Sequence, residues 1–247
     1  MQMFRTAPSE TADGPRLRRV KRAMALLALA CLTALIYLAA LVATMPASAL
    51  SDLATMPRQV TALYGTIWQG RADLIDGYRI DWDHRPGALL GLRLAADATL
   101  QGPDTLLRGT VRVTPWTISA RDVTGRAGPG LLALADGLAI AGCNTRAIVD
   151  VPYIALARSW AAAEGRIDVE AGDCTQNNGR IDPVPAMTLT LGTRSNDATG
   201  RLTTGDTLLA EASVKGDHRL TLTLHPAGSA LIPGLPTGAP ITLDYPF

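Results

Sequence analysis

The sequence predicts a mainly β protein, with a single N-terminal transmembrane helix followed by an antiparallel β-meander and one or two short helices. Three observations carry that prediction. An uncharged apolar run of 22 residues extends from Ala23 to Thr44. From Tyr64 onward apolar and polar residues alternate with a period of two, and residues that favour turns separate the alternating stretches.

At about 1.5 Å per helical residue the run reaches roughly 33 Å, enough to cross a hydrocarbon core of about 30 Å. Arg16, Arg18, Arg19, Lys21 and Arg22 lead into it, and no Asp or Glu lies between Pro15 and Leu50. The positive-inside rule keeps residues 1–22 cytoplasmic as a basic tail, makes residues 23–44 the span and translocates the rest of the chain. Met45-Pro46 ends the helix, because proline disfavours helical geometry in the residue before it. A cleaved signal peptide is the rival reading, since Ala47-Ser48-Ala49 has the small-x-small form of a cleavage site. An h-region normally holds about 7 to 15 residues, so the longer run and the extended basic leader favour an uncleaved anchor.

The overall charge is +1. Because the first 22 residues hold six basic and two acidic residues, the remainder stands at −3, a poor balance for binding nucleic acid. Aromatic residues are only 4% of the chain, so a core must rest on Leu, Val, Ile and Ala. Of three cysteines, Cys31 lies inside the apolar run and packs as a small apolar residue. The other two, Cys143 and Cys174, are on the translocated side, where an oxidising compartment favours a disulfide between them. A metal site would want more ligands nearby, and a redox pair is more often spaced Cys-x-x-Cys.

Residues 45–63 read as a linker or short helix, with Leu53, Met56, Val60 and Leu63 at rough helical spacing around Pro57. Residues 64–247 form the β-rich domain. Tyr78-Ile80-Trp82, Leu92 to Leu100 and Leu107 to Val113 alternate with Arg, Asp and Thr, as half-buried strands do. Asp76-Gly77, Pro86-Gly87 and Gly102-Pro103-Asp104 separate them. The pattern weakens from Pro115 to Trp160, where the domain divides into two sub-halves. There Leu131 to Ile140 suits strand or helix, and Val151 to Ala163 resembles a helical turn or two. Alternation resumes at Ile167-Val169, Met187-Leu191, Leu208-Val214 and Leu220-Leu224, and the Pro- and Gly-rich tail from Pro226 to Pro240 reads as extended. Such a meander leaves two open edges, and its apolar face either packs as a core or curls into a half-pipe with a greasy lining.

No Gly-x-Ser-x-Gly elbow, P-loop or His-Glu-x-x-His helix is present. Gly128-Pro129-Gly130-Leu131-Leu132-Ala133 has the Gly-x-Gly-x-x-Ala form, but it lacks the strand-turn-helix context of a dinucleotide site and suits a turn. His84, His218 and His225 read as solvated turn positions. Asp81 with Asp83, and Asp168 with Glu170, lie at i and i+2 on polar strand faces, where Arg79, Arg85 and Arg166 offer ordinary surface pairing. The residues thus point to no catalytic, cofactor or metal site, and the expectation is a protein that is not an enzyme.

In Leu63-Tyr64-Gly65-Thr66-Ile67-Trp68-Gln69-Gly70-Arg71-Ala72, Gly65 and Gly70 permit turns around Ile67 while Trp68 offers an anchor for the start of the sheet. The Gly-Thr-x-Trp-x-Gly-x-Ala stretch, formed by Gly65, Thr66, Trp68, Gly70 and Ala72 shortly after a single span, resembles a signature of the type II secretion system protein N family of Gram-negative bacteria. The likeness continues through Trp82 in its alternating strand and through the Arg-Pro turn with a leucine pair, Pro86, Leu89 and Leu90. It is strongest over Leu63 to Val113. The resemblance implies a bitopic inner-membrane component of the general secretory pathway, whose periplasmic β-rich domain contacts other secretion subunits. It also implies a remote likeness to membrane-anchored β-rich proteins of the AsmA type, associated with lipid traffic. The alternative function is therefore a lipid-binding or lipid-transfer module with an apolar groove.

Overall fold

A computed structural model describes residues 15–49, 58–85, 87, 93–134, 140–176, 179–217, 219–232 and 235–246. The chain divides after Met45 into two units. The first holds the helix α1 (Pro15–Ala43), 29 residues long. Its segment from Val20 to Ala43 is long and apolar enough to cross a membrane. The hydroxyls of Thr33 in this helix and of Thr44 just beyond it donate back to the carbonyls of Leu29 and Ala40, each at 2.9 Å, so these two hydroxyls are satisfied by the helix backbone.

Among the described residues the second unit contains sixteen strands: β1 (Val60–Gly65), β2 (Gln69–Leu74), β3 (Arg79–His84), β4 (Leu94–Gln101), β5 (Leu106–Val113), β6 (Thr117–Ala127), β7 (Ile140–Cys143), β8 (Ala147–Ala157), β9 (Ala161–Val169), β10 (Gly172–Gln176), β11 (Ile181–Val184), β12 (Met187–Arg194), β13 (Asp197–Thr204), β14 (Thr207–Val214), β15 (Arg219–Leu224) and β16 (Ile241–Pro246). Thirteen of them form one sheet in the order β1-β2-β3-β4-β5-β6-β8-β9-β12-β13-β14-β15-β16. Every neighbouring pair is antiparallel. No described pairing joins β1 to β16, so the sheet is an open meander and not a closed barrel.

The register aligns apolar positions across the whole sheet. Leu63, Ala72, Ile80, Leu100, Leu107, Gly125, Val149, Ile167, Leu189, Leu202, Ala210, Leu224 and Ile241 are successive cross-strand partners, one on each strand. One residue along, the partners are Tyr64, Arg71, Asp81, Thr99, Arg108, Thr124, Asp150, Arg166, Thr190, Arg201, Glu211, Thr223 and Thr242. One face is therefore apolar and the other polar along its full width. Burial on the apolar face is deepest where Ala161, Ala163 and Ala198 meet Leu156, Leu191 and Val214.

Four register shifts interrupt the ladders, in β1–β2, β5–β6, β8–β9 and β13–β14. Bulges of this kind bend a strand and increase local twist. At the β8–β9 shift Gly165 adopts φ +151°, and a Cβ there would sit 2.7 Å from the Asp150 carbonyl oxygen, so this close approach admits only glycine.

A second, three-stranded sheet, β11-β10-β7, grows out of the β8–β9 hairpin. The Glu170 N–H donates to Arg146 and the Asn144 N–H to Asp173, continuing the ladder into the pairing of β7 with β10. Cys143 and Cys174 are direct cross-strand partners there, with Cα atoms 4.0 Å apart, and form a disulfide.

A polar cluster fastens the 3-10 segment Pro129–Leu134 beside the β4–β5 turn. The Tyr78 hydroxyl, on a residue only 2% exposed, donates to Asp104 Oδ1 at 2.6 Å. The Gly130 N–H donates to Asp104 Oδ2 at 3.1 Å, and the Gly128 N–H to Thr105 Oγ1 at 2.9 Å. Burial alone would raise the Asp104 pKa, but the bonds from Tyr78, Gly130 and Thr105 outweigh it and hold the carboxyl below the usual carboxylate range.

Several local expectations are corrected. Val151 to Ala163 is not helical: it is the end of β8, the Arg158-Ser159-Trp160 turn and the start of β9. Its alanines suit a close-packed hairpin, in which Ala155, Ala157, Ala161 and Ala163 are all buried. β1 begins at Val60, within the stretch read as linker or short helix, while residues 50–57 lie outside the described residues. Pro129–Leu134 is 3-10, and Leu138 lies outside the described residues. The tail is not simply extended, because a short helix α2 (Pro226–Ser229) packs on β14 before the chain returns as β16.

Two features set expectations for stability. The disulfide closes a separation of 31 residues, so Cys143→Ser with Cys174→Ser lowers unfolding stability by about 3.5 kcal/mol, read by urea titration under oxidising conditions. The Asp104 carboxyl titrates lower in the folded than in the unfolded chain, so its contribution is present above the ordinary carboxylate pKa and lost as pH falls through the lowered one. Asp104→Asn is therefore less stable at pH 7 and shows a flatter acid decline in Tm than the unaltered chain. Tyr78→Phe costs about 1 to 2 kcal/mol at neutral pH, read by the same melts.

Candidate interaction surface

The first hairpin contains most of the signature residues, and each has a structural task. Thr66 Oγ1 accepts from the N–H groups of Trp68 and Gln69, and the Thr66 N–H donates to the Gln69 carbonyl at 2.8 Å, closing the β1–β2 turn. The Trp82 indole lies across Gly70, where a Cβ would fall 2.4 Å from its ring, and donates from Nε1 to the Ile67 carbonyl at 3.2 Å. Trp82 from β3 thus adds a second anchor at the start of the sheet beside the one expected of Trp68. Trp68 meets the His84 ring edge-on, with centroids 5.0 Å apart. Ala72 is buried on the apolar face. Pro86, Leu89 and Leu90 lie outside the described residues.

The carboxylates expected on a solvated face are paired there, partly with other arginines than expected. Asp81 pairs with Arg71 at 2.7 Å, and Asp83 accepts from Gln69 Nε2 at 2.9 Å. Arg85 binds Asp97 through two bonds of 2.8 Å, and Arg166 pairs with Asp168. The Arg85 guanidinium, with Thr110, holds the Asp97 carboxyl below its ordinary range, as Arg166 and Thr188 do for Asp168. All these groups are largely solvated, so screening leaves little net stabilisation.

The two described histidines, His84 and His225, do not converge. His84 ends β3 and His225 comes directly after β15, with eight strands of the sheet between them, while His218 lies outside the described residues. His225 Nε2 lies 3.6 Å from Glu211 Oε2. The N–H groups of Gly128 and Gly130 are taken by Thr105 and Asp104, so the Gly-x-Gly-x-x-Ala stretch fastens a turn. Among the described residues no group of three or more His, Cys, Asp and Glu is placed to hold a metal ion.

The surface instead offers an edge and an apolar patch. The β1 edge is partly closed, since Pro46 bridges to Thr66 and the N–H of Ala47, itself wholly buried, donates to the Gly65 carbonyl at 2.9 Å. The β16 edge has no strand beyond it among the described residues, and there Leu243 and Tyr245 are 58% and 65% exposed. On the apolar face Leu94, Val113 and Ile118 are adjacent cross-strand partners and are all exposed. Sequence reasoning anticipated open edges, but not this strand, which comes after a run rich in proline and glycine.

No curated protein and no solved structure matches the chain significantly. The model of the family described as type II secretion system (T2SS), protein N, matches residues 57–231, which cover β1 to β15 and α2 and leave out α1 and β16. The chain belongs to the type II secretion system protein N family.

Proposed function

We propose that the chain is a non-enzymatic, inner-membrane-anchored component of the type II secretion system, with a periplasmic domain that contacts other secretion subunits during export across the outer membrane. In this reading residues 1–22 are cytoplasmic, residues 23–44 span the membrane and the sheet lies in the periplasm. Family membership supports the secretion role. The basic leader and apolar α1 support the anchor and its orientation, and the disulfide suits an oxidising compartment. The burial of Ala47 against the sheet favours an uncleaved chain, since cleavage after Ala49 would remove a segment that closes the β1 edge.

The observation that carries the contact is the unpaired β16 edge with its exposed Leu243 and Tyr245, a template for strand addition by a partner subunit. Charges on such an edge oppose pairing. The assembled secretion complex isolated in mild detergent is expected to contain this chain, and deletion of the gene to impair export. Leu243→Glu with Tyr245→Glu weakens co-isolation about tenfold, equivalent to about 1.4 kcal/mol. Reproducible absence from the complex together with unaffected export defeats the proposal.

The exposed, register-adjacent Leu94, Val113 and Ile118 favour a second reading, a lipid-handling module. It requires phospholipid or lipopolysaccharide to co-purify with the chain, and mass spectra of extracted material free of both count against it.

A further inference from the structure

The antiparallel order sends successive turns to two opposite rims of the sheet, and the rims differ in chemistry. One carries the connections β1–β2, β3–β4, β5–β6, β8–β9, β12–β13 and β14–β15. Three of the chain's four tryptophans sit in them: Trp68, Trp116 and Trp160. At 73% exposed, Trp116 is the most open large apolar side chain among the described residues. Arg158 and Lys215 occupy turns of this rim, the latter beside Asp217, which lies 3.8 Å from Arg219, and Arg194 borders another; the three cations Arg158, Arg194 and Lys215 are all exposed, with no ion pair among the described residues. The three short turns at the opposite rim, β2–β3, β4–β5 and β13–β14, carry Asp76, Asp104 and Asp206, and no tryptophan lies at that rim.

Tryptophan combined with Lys and Arg is the composition that favours the boundary between acyl chains and head groups, the ring taking the interface and the cations the phosphates. Acidic turns are repelled from the same anionic surface. The chain also enters the sheet at the tryptophan rim, through the bridge from Pro46 to Thr66, and Pro46 is separated from α1 by only two intervening residues in the sequence.

We propose that this rim rests on an anionic phospholipid surface, with Trp116 seated at head-group level and Arg158, Arg194 and Lys215 facing lipid phosphates. The inference rests on α1 being a membrane anchor. It leaves the short acidic turns of the opposite rim away from that lipid surface.

The test reconstitutes the full chain into vesicles of phosphatidylglycerol and phosphatidylcholine with brominated acyl chains, which quench tryptophan only at close range. Emission of the unaltered chain is quenched, and Trp116→Phe removes roughly half or more of that quenching. Arg158→Glu with Lys215→Glu reduces it as well and abolishes its decline with added salt. Flotation of the same samples separates the two ideas. A chain that does not float with the vesicles overturns the anchor and the rim contact together. A chain that floats, with equal quenching in the unaltered and Trp116→Phe forms, overturns the rim contact alone.

Discussion

Cross-strand register is the constraint on which the rest of the molecule depends. A single-layer sheet has no second sheet to correct it, so each strand's apolar set must fall opposite that of its neighbour. Because side chains alternate with a period of two, a slip of one residue would move a strand's whole apolar set to the polar face. Leu63 through Ile241 form an unbroken row across thirteen strands, and the adjacent row from Tyr64 to Thr242 is hydroxyl or charged throughout. Pairs such as Arg71–Asp81 and Arg201–Glu211 add little energy in solvent, yet they match charge across strands and penalise slipped pairings.

Register in turn depends on how the sheet starts and how its hairpins are closed. The first hairpin is fixed by the Thr66 turn and by the Trp82 ring lying over Gly70, so these residues set the first pairing. Midway, the β8–β9 hairpin runs past the main sheet, where Cys143 and Cys174 lock its extension. The β4–β5 turn is held by Asp104, whose hydrogen bonds also fasten the 3-10 segment.

This organisation explains which elements are legible in the sequence. Alternation is plain in β3, β4, β5, β12, β14 and β15, where one face is charged or hydroxyl and the other apolar, whereas β13 (Asp197–Thr204), with only Ala198, Gly200 and Leu202 on its apolar side, goes unread. The disulfide is legible because only two cysteines lie beyond the apolar run. β6 is obscured by its irregular step at Asp122, which has φ +52° and breaks the period of two. β8 and β9 look helical because alanines occupy both faces of that hairpin: Ala155, on the polar side, is as buried as Ala163 on the apolar side, and Pro152 falls at the bulge. β16 is hidden behind the proline- and glycine-rich tail. The pairing partners of the surface carboxylates are not legible, since Arg71 reaches Asp81 from another strand while the nearer Arg79 does not.

A sheet built this way has polarity along two axes, and function can use each separately. Across the strands it is open-ended: β1 is partly closed by the incoming chain, whereas β16 keeps an unpaired edge with exposed Leu243 and Tyr245. Along the strands it has a tryptophan and cation rim and an acidic rim, a difference that no single strand carries and that arises only once antiparallel order sorts the turns. A partner adding to β16 would run parallel to the strand axis, so fixing one rim would also fix the direction from which that partner approaches. Edge pairing and rim placement are then complementary constraints. The first selects a partner by backbone hydrogen bonds and alternate side chains, and the second limits which partners can reach the edge at all.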